Sequence, residues 1–353
     1  MRDGVLLVNL GSPDAPATPE VRRYLAEFLD DPRVIDLPAP LRRLLLYLFI
    51  LPFRSARSAE AYRKIWAERG SPLIHLTEDL ADALRERVRV PMAVGMRYGS
   101  PSIEQALSAL VGQGVQRVLF VPLYPHYAMS SYETVVARVL EAAAERAPGV
   151  DLHVLPPFYD APGYLDALWG TLRPVVQAEE PDLVLFSYHG IPERHLRRSD
   201  ASGCWCLQVQ GCCDKPSPAH GTCYRHQVLA TARGVAERAG WDADHWAVGF
   251  QSRLGRQPWL RPYTDLLLAD LPARGLRRVV VVCPSFVSDC LETLEEIGIR
   301  GRETFREAGG EKLALVPCLN TDPAFVGFLA GQITAWREAA WPVPTAGDLL
   351  GAR

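Results

Sequence analysis

Eight short, largely apolar runs punctuate the chain: Val5–Leu10, Ala93–Met96, Val118–Leu123, Leu152–Leu155, Leu183–Tyr188, Ala247–Phe250, Val279–Cys283 and Leu313–Val316. Helical periodicity fills the longer segments between them. A strand with one wet face alternates apolar and polar residues, whereas a continuous apolar run needs cover on both faces. Such strands alternating with helices specify parallel sheets of the doubly wound α/β type. The chain also echoes itself, since "LLVNLGSP" from Leu6 stands in the first half where "LFSYHGIP" from Leu185 stands in the second. Likewise Ala93-Val94-Gly95 leads to the Val118 run as Ala247-Val248-Gly249 leads to the Val279 run. Two similar α/β lobes are therefore expected, over 1–150 and 151–335, with a Pro/Gly-rich tail over 336–353.

Charge and leader signals narrow the function classes. A formal net charge of -3 with interspersed signs offers no basic stripe, so nucleic acid is not an expected partner. The chain enters strand pattern at Gly4 with no basic and apolar leader ahead of it, so the cytoplasm is the expected compartment. The most apolar run, Leu44–Phe53, is interrupted by Pro52 and falls well short of the roughly twenty residues needed to cross a bilayer. It forms a lip suited to peripheral contact with a membrane or a greasy ligand.

Ligands of open α/β sheets bind beyond the carboxyl ends of the strands, so the residues just after each run matter most. His189 stands at one such end, ahead of a Gly-x-Pro turn that a strand could make without any imidazole. The first half carries Leu10 in the equivalent place, so the fold itself does not demand a histidine. A base or a metal ligand would sit there. After the Val279 run, Asp289, Glu292 and Glu296 fall at helical spacings on one expected face. Asp289 and Glu292 also fit a capping box, but Glu296 lies a turn further on, and an acidic track suits protons or divalent cations. Leu10, Tyr98, Trp259 and Phe286 suggest walls for a large flat apolar ligand, and Arg97 and Ser252 could hold its peripheral carboxylates. Five of the eight cysteines, Cys204, Cys206, Cys212, Cys213 and Cys223, crowd into one polar segment. Reduced thiols so clustered suit zinc or an iron–sulfur cluster, and spacing does not separate the two.

Taken together, "LLVNLGSPDAP" at Leu6, "MRYGSP" at Met96, "FSYHGIPERH" at Phe186, "FQSRLGRQPWLRPYTD" at Phe250 and "SDCLETLEEI" at Ser288 resemble ferrochelatase. The resemblance implies a lyase of haem biosynthesis that inserts Fe2+ into a porphyrin, protoporphyrin IX or coproporphyrin III, and releases two protons. It implies two chelatase-like lobes, Rossmann-like or flavodoxin-like, with the macrocycle held between them. His189 matches the family's central histidine and Glu292 its partner acid, so the substrate Fe2+ is expected at that pair, with Asp289 and Glu296 on the proton or metal path. Leu10, Arg97, Tyr98, Ser252, Trp259 and Phe286 are the residues expected to contact the porphyrin. Animal members place a histidine two residues before the acid, where Cys290 stands here. They also hold a cluster through C-terminal cysteines, but no cysteine follows Cys318. The segment near 200–225 resembles instead an internal insert of some bacterial members, which implies a 2Fe–2S cluster on Cys206, Cys212, Cys213 and Cys223, with Cys204 as the spare and zinc as the alternative. Two other functions suit the same scaffold: a chelatase for another tetrapyrrole or metal, such as cobalt and sirohydrochlorin, and a non-catalytic haem carrier or iron–sulfur sensor.

Overall fold

A computed structural model describes residues 1–255 and 257–339; from residue 340 the expected tail lies outside the described residues. The chain divides into two compact units. Met1–Tyr124, Met129–Pro156 and the described residues from Val326 to Ala339 form the first, and Pro125–Ala128 with Pro157–Phe325 form the second.

In the first unit β1 (Asp3–Ser12), β2 (Met92–Gly99), β3 (Arg117–Pro122) and β4 (Asp151–Val154) build a parallel sheet in the order β2-β1-β3-β4. In the second, β5 (Leu183–His189), β6 (Trp246–Gln251), β7 (Arg278–Val282) and β8 (Lys312–Leu315) repeat that order as β6-β5-β7-β8, again parallel. Each of the eight apolar runs supplies one strand. The reason is visible in β1, where Val5, Leu6, Leu7 and Val8 are all fully buried, so both sheet faces are covered.

The core of the second unit joins Leu183, Leu185, Val279 and Val281 of the sheet to Leu268, Leu271, Ile297 and Phe305 of its helices. Burial of one such side chain contributes roughly 1.5–3 kcal/mol. Ile297 anchors the segment that carries the acidic residues.

The expected lip is helical. Ala39–Leu45, a π-helical turn Leu46–Ile50 and Leu51–Ile65 follow one another, with Leu46 and Leu51 buried. Leu44, Tyr47, Leu48, Phe49 and Phe53 are exposed. Among the described residues, no helix is long and apolar enough to cross a membrane.

Beside the end of β5 lies a fully buried histidine, His126. Thr231 spends its hydroxyl proton on the Tyr159 carbonyl (2.6 Å), so His126 Nε2–H donates to Thr231 Oγ1 (2.9 Å). The ring meets Tyr188 and Tyr224 edge-on, with centroids 5.5 and 5.9 Å away. Burial pushes its pKa from 6.5 down to about 3. The folded protein therefore keeps this ring neutral where the unfolded chain protonates it. Its contribution to stability is complete above pH 6.5 and is lost progressively as pH falls toward about 3. Urea unfolding across that window should show His126→Gln losing less stability per pH unit than the parent, by up to about 1.4 kcal/mol per unit. Identical slopes would mean that the imidazole is not held neutral.

Candidate functional site

The last residue of β5 is His189, half-buried at the strand end. Its Nδ1 lies 2.6 Å from the Gly190 carbonyl oxygen. A carbonyl only accepts, so in the neutral ring the proton is on Nδ1 and the lone pair is on Nε2. The peptide joining the two residues is held at both ends: the Tyr224 hydroxyl donates to the His189 carbonyl (2.8 Å), and the Gly190 N–H donates to the Gln251 carbonyl (2.7 Å). A Cβ at position 190 would stand 2.8 Å from that Gln251 oxygen, which is why the strand end requires glycine. The Phe286 ring meets the imidazole at 6.3 Å between centroids.

Glu292 and Glu296 lie on a π-helix, Glu292–Gly301, and this corrects two expectations. First, no capping box forms, because the residue preceding the helix is Leu291 and no side chain caps it. Second, Asp289 is not in line with the other two acids. It precedes the helix, and its carboxylate accepts from Thr293 Oγ1 (3.0 Å), the Cys318 N–H (3.3 Å) and Asn320 Nδ2 (2.8 Å). With i→i+5 bonding the helix instead aligns residues four apart. Thr293, Ile297 and Gly301 form its buried row, while Glu292, Glu296 and Arg300 form the adjacent one.

The end of β6 joins the histidine to the acids. Gln251 Nε2 donates to the Glu292 carbonyl (2.7 Å), and Gln251 Oε1 accepts from Ser187 Oγ (2.6 Å). Ser252, in a left-handed conformation at φ 60°, donates its N–H to Glu296 Oε1 (2.9 Å) and its hydroxyl to Oε2. The hydroxyl expected to hold a ligand carboxylate is thus committed to Glu296. Burial raises the Glu296 pKa, opposed by Ser252 and by the nearby His189. Burial, then the Glu292 charge, also raises the Cys290 thiol and keeps it protonated.

The remaining expected residues fall as follows. Trp259 is buried, with its indole N–H on the Leu254 carbonyl (3.0 Å). In the first unit Leu10 is half-buried near the end of β1, its N–H on Asn9 Oδ1 (2.9 Å). Arg97 is paired with Asp31 and bonds Thr134 (3.0 Å), while the Tyr98 hydroxyl donates to the same Asp31 oxygen (3.0 Å). Tyr98 is buried at the end of β2, with 1% of its surface exposed.

In the cysteine-rich segment Cys206, Cys212, Cys213 and Cys223 are buried and Cys204 is exposed. Cys223 acts on the thiols of both Cys206 and Cys213. Contact with Cys223, then burial, raises the Cys213 thiol. Among the described residues, no group of three or more His, Cys, Asp or Glu is arranged to hold a single metal ion.

A strand-end imidazole near the half-buried Glu296 carboxylate, on one of two matching parallel sheets, is the arrangement of a chelatase-type protein. In fold the chain is similar to SirB from Bacillus subtilis, solved with Fe3+ (TM-score 0.56, 12% identity, 95% of each chain). The ferrochelatase family model matches residues 2–336, and the chain belongs to that family. It is 51% identical to the ferrochelatase of Opitutus terrae over 95% of this chain and 98% of that one. With the ferrochelatase of Pseudomonas aeruginosa PAO1 it shares 49% over 93% and 96%.

Three residues at this site were not anticipated: Gln251, Tyr224 and Ser187. Gln251 stands inside the motif that begins at Phe250, next to Ser252, and nothing local marks Tyr224.

Because the Glu296 pKa is raised from 4.5, its protonated form is the one the fold favours. That favourable contribution is complete below 4.5 and is lost as pH rises through the raised value. Glu296→Gln is accordingly expected to raise Tm at neutral pH by a few degrees per kcal/mol of charge burial removed, and to leave it unchanged below 4.5. A Tm gain of equal size at both pH values would contradict this.

Proposed function

We propose that His189 is the base that deprotonates a porphyrin while the protein inserts ferrous iron, and that Glu292 and Glu296 serve the traffic of protons or metal beside it. The overall step replaces two pyrrole N–H protons by one Fe2+, so charge balances when both protons leave. Each deprotonation needs a lone pair directed at a pyrrole N–H. The observation that carries the reading is the Nδ1–H bond to the Gly190 carbonyl, which leaves the His189 lone pair on Nε2. A neutral imidazole whose tautomer is set in advance avoids a rearrangement at the moment of transfer. Glu296, its pKa raised by burial, is suited to take a proton on from the ring. Phe286 and Trp259 supply apolar surface in the same unit.

His189→Ala is expected to lower kcat for iron insertion by about 10²–10⁴-fold, with porphyrin binding by fluorescence quenching still measurable. Turnover near the parent rate would refute the base. The assay, run with protoporphyrin IX, coproporphyrin III and sirohydrochlorin, identifies the macrocycle, and insertion only of cobalt into sirohydrochlorin would replace the assignment.

We also infer that Cys206, Cys212, Cys213 and Cys223 hold a 2Fe–2S cluster, which when bound supplies a one-electron redox centre. Support comes from four buried thiols in one short segment, with Arg225 Nη1 3.8 Å from the Cys213 sulfur as a positive charge for thiolates. Among the described residues no three such side chains converge on the single point that zinc needs. Protein purified without oxygen should show visible sulfur-to-iron absorption that Cys213→Ala abolishes, whereas a colourless protein containing zinc would decide for the other metal.

A further inference from the structure

Tyr224 opens the helix Tyr224–Ala239 and directly follows Cys223, the last thiol of the cysteine-rich segment. Its ring is buried, edge-on to His126, and its hydroxyl is engaged twice. The His189 carbonyl can only accept, so the phenol proton goes there (2.8 Å). Ser285 Oγ, also 2.8 Å away, must then be the donor to the phenol oxygen. The result is a directed chain from Ser285 through Tyr224 to the peptide between His189 and Gly190, whose other end is fixed on Gln251. A tilt of that peptide displaces Gly190, and Gly190 carries the carbonyl that sets the imidazole tautomer.

The segment that ends at Cys223 is closed on itself. Asp200 accepts from the N–H groups of Trp205 and Cys206 (2.8 Å each), and Thr222 bonds the Ser199 carbonyl (2.5 Å). The chain leaves this closed loop through Cys223 straight into Tyr224, so movement of the thiols is passed to the phenol by one peptide bond.

We propose that Tyr224 is a positioning residue that fixes the orientation and tautomer of His189, and that through Cys223 it makes them depend on the cysteine-rich segment. The inference rests on His189 acting as the base. It assigns the segment a route to turnover without any contact with substrate.

Tyr224→Phe deletes the hydroxyl and keeps the ring. It should lower kcat about tenfold, the equivalent of one buried hydrogen bond, and leave KM for the porphyrin within about twofold. Nitrogen NMR of histidine-labelled protein should show the Nδ1–H tautomer of His189 in the parent and a mixture in the variant. Tyr164→Phe is the matched control, since it deletes an equally buried hydroxyl that donates to the Pro284 carbonyl (2.8 Å), and it should leave the His189 signal unmoved. Cys206→Ala, or Cys206→Ser if the alanine variant does not fold, should lower kcat in the parent and have no further effect once Tyr224→Phe is already in place. A Tyr224→Phe variant with the parental tautomer and kcat, or cysteine and tyrosine effects that simply multiply, would overturn the proposal. Should His189→Ala turn over normally, the base assignment falls while the NMR comparison still tests what Tyr224 positions.

Discussion

The Gly190 N–H bond to the Gln251 carbonyl, 2.7 Å long, is the constraint from which the arrangement of the site follows. It extends the pairing of β5 and β6 one residue past the strand end, and it brings the backbones so close that no Cβ fits at position 190. With Gln251 held there, its side chain reaches the Glu292 carbonyl and the next residue reaches the Glu296 carboxylate. One backbone contact thus ties the imidazole strand to the helix that carries the acids. Ionised or polar groups packed this tightly are worth their burial only when their partners are complete, and here each oxygen of Glu296 has a donor from Ser252.

The first unit uses the same device for another purpose. Gly11, at φ 105° and one residue before the end of β1, lies so close to Tyr98 that a Cβ would stand 1.8 Å from its carbonyl oxygen. Around that end the polar partners are Asp31, Arg97, Tyr98 and Thr134, a network in which one carboxylate oxygen collects three donors. The duplicated fold therefore repeats the glycine but not the chemistry: imidazole and acids gather at one copy, and a structural carboxylate at the other.

Much of this is legible in the sequence because it depends on local pattern. Continuous burial on both faces writes itself as unbroken Val and Leu, so all eight strands are visible, and a histidine before Gly-x-Pro stands out because the repeat has Leu10 there. What escapes depends on distant chain segments. Asp289 and Glu292 match a capping box in spacing, yet Asn320 and Cys318, about thirty residues away, claim the Asp289 carboxylate. The Tyr98 hydroxyl is taken by Asp31, from a separate segment. Gln251 and Tyr224 bond main-chain carbonyls, contacts that no side-chain motif records.

The π-helix has a consequence for how such a site tolerates change. Over Glu292–Gly301 each turn consumes more chain than an α-turn, so the alignment of Glu292 with Glu296 is encoded in residue count as much as in residue identity. Point replacements leave that phase intact. Loss of a single residue would let the stretch rewind as an α-helix and swing every later side chain around the axis, parting Glu296 from Ser252. Within the acid helix, length polymorphism is therefore a harsher perturbation than substitution.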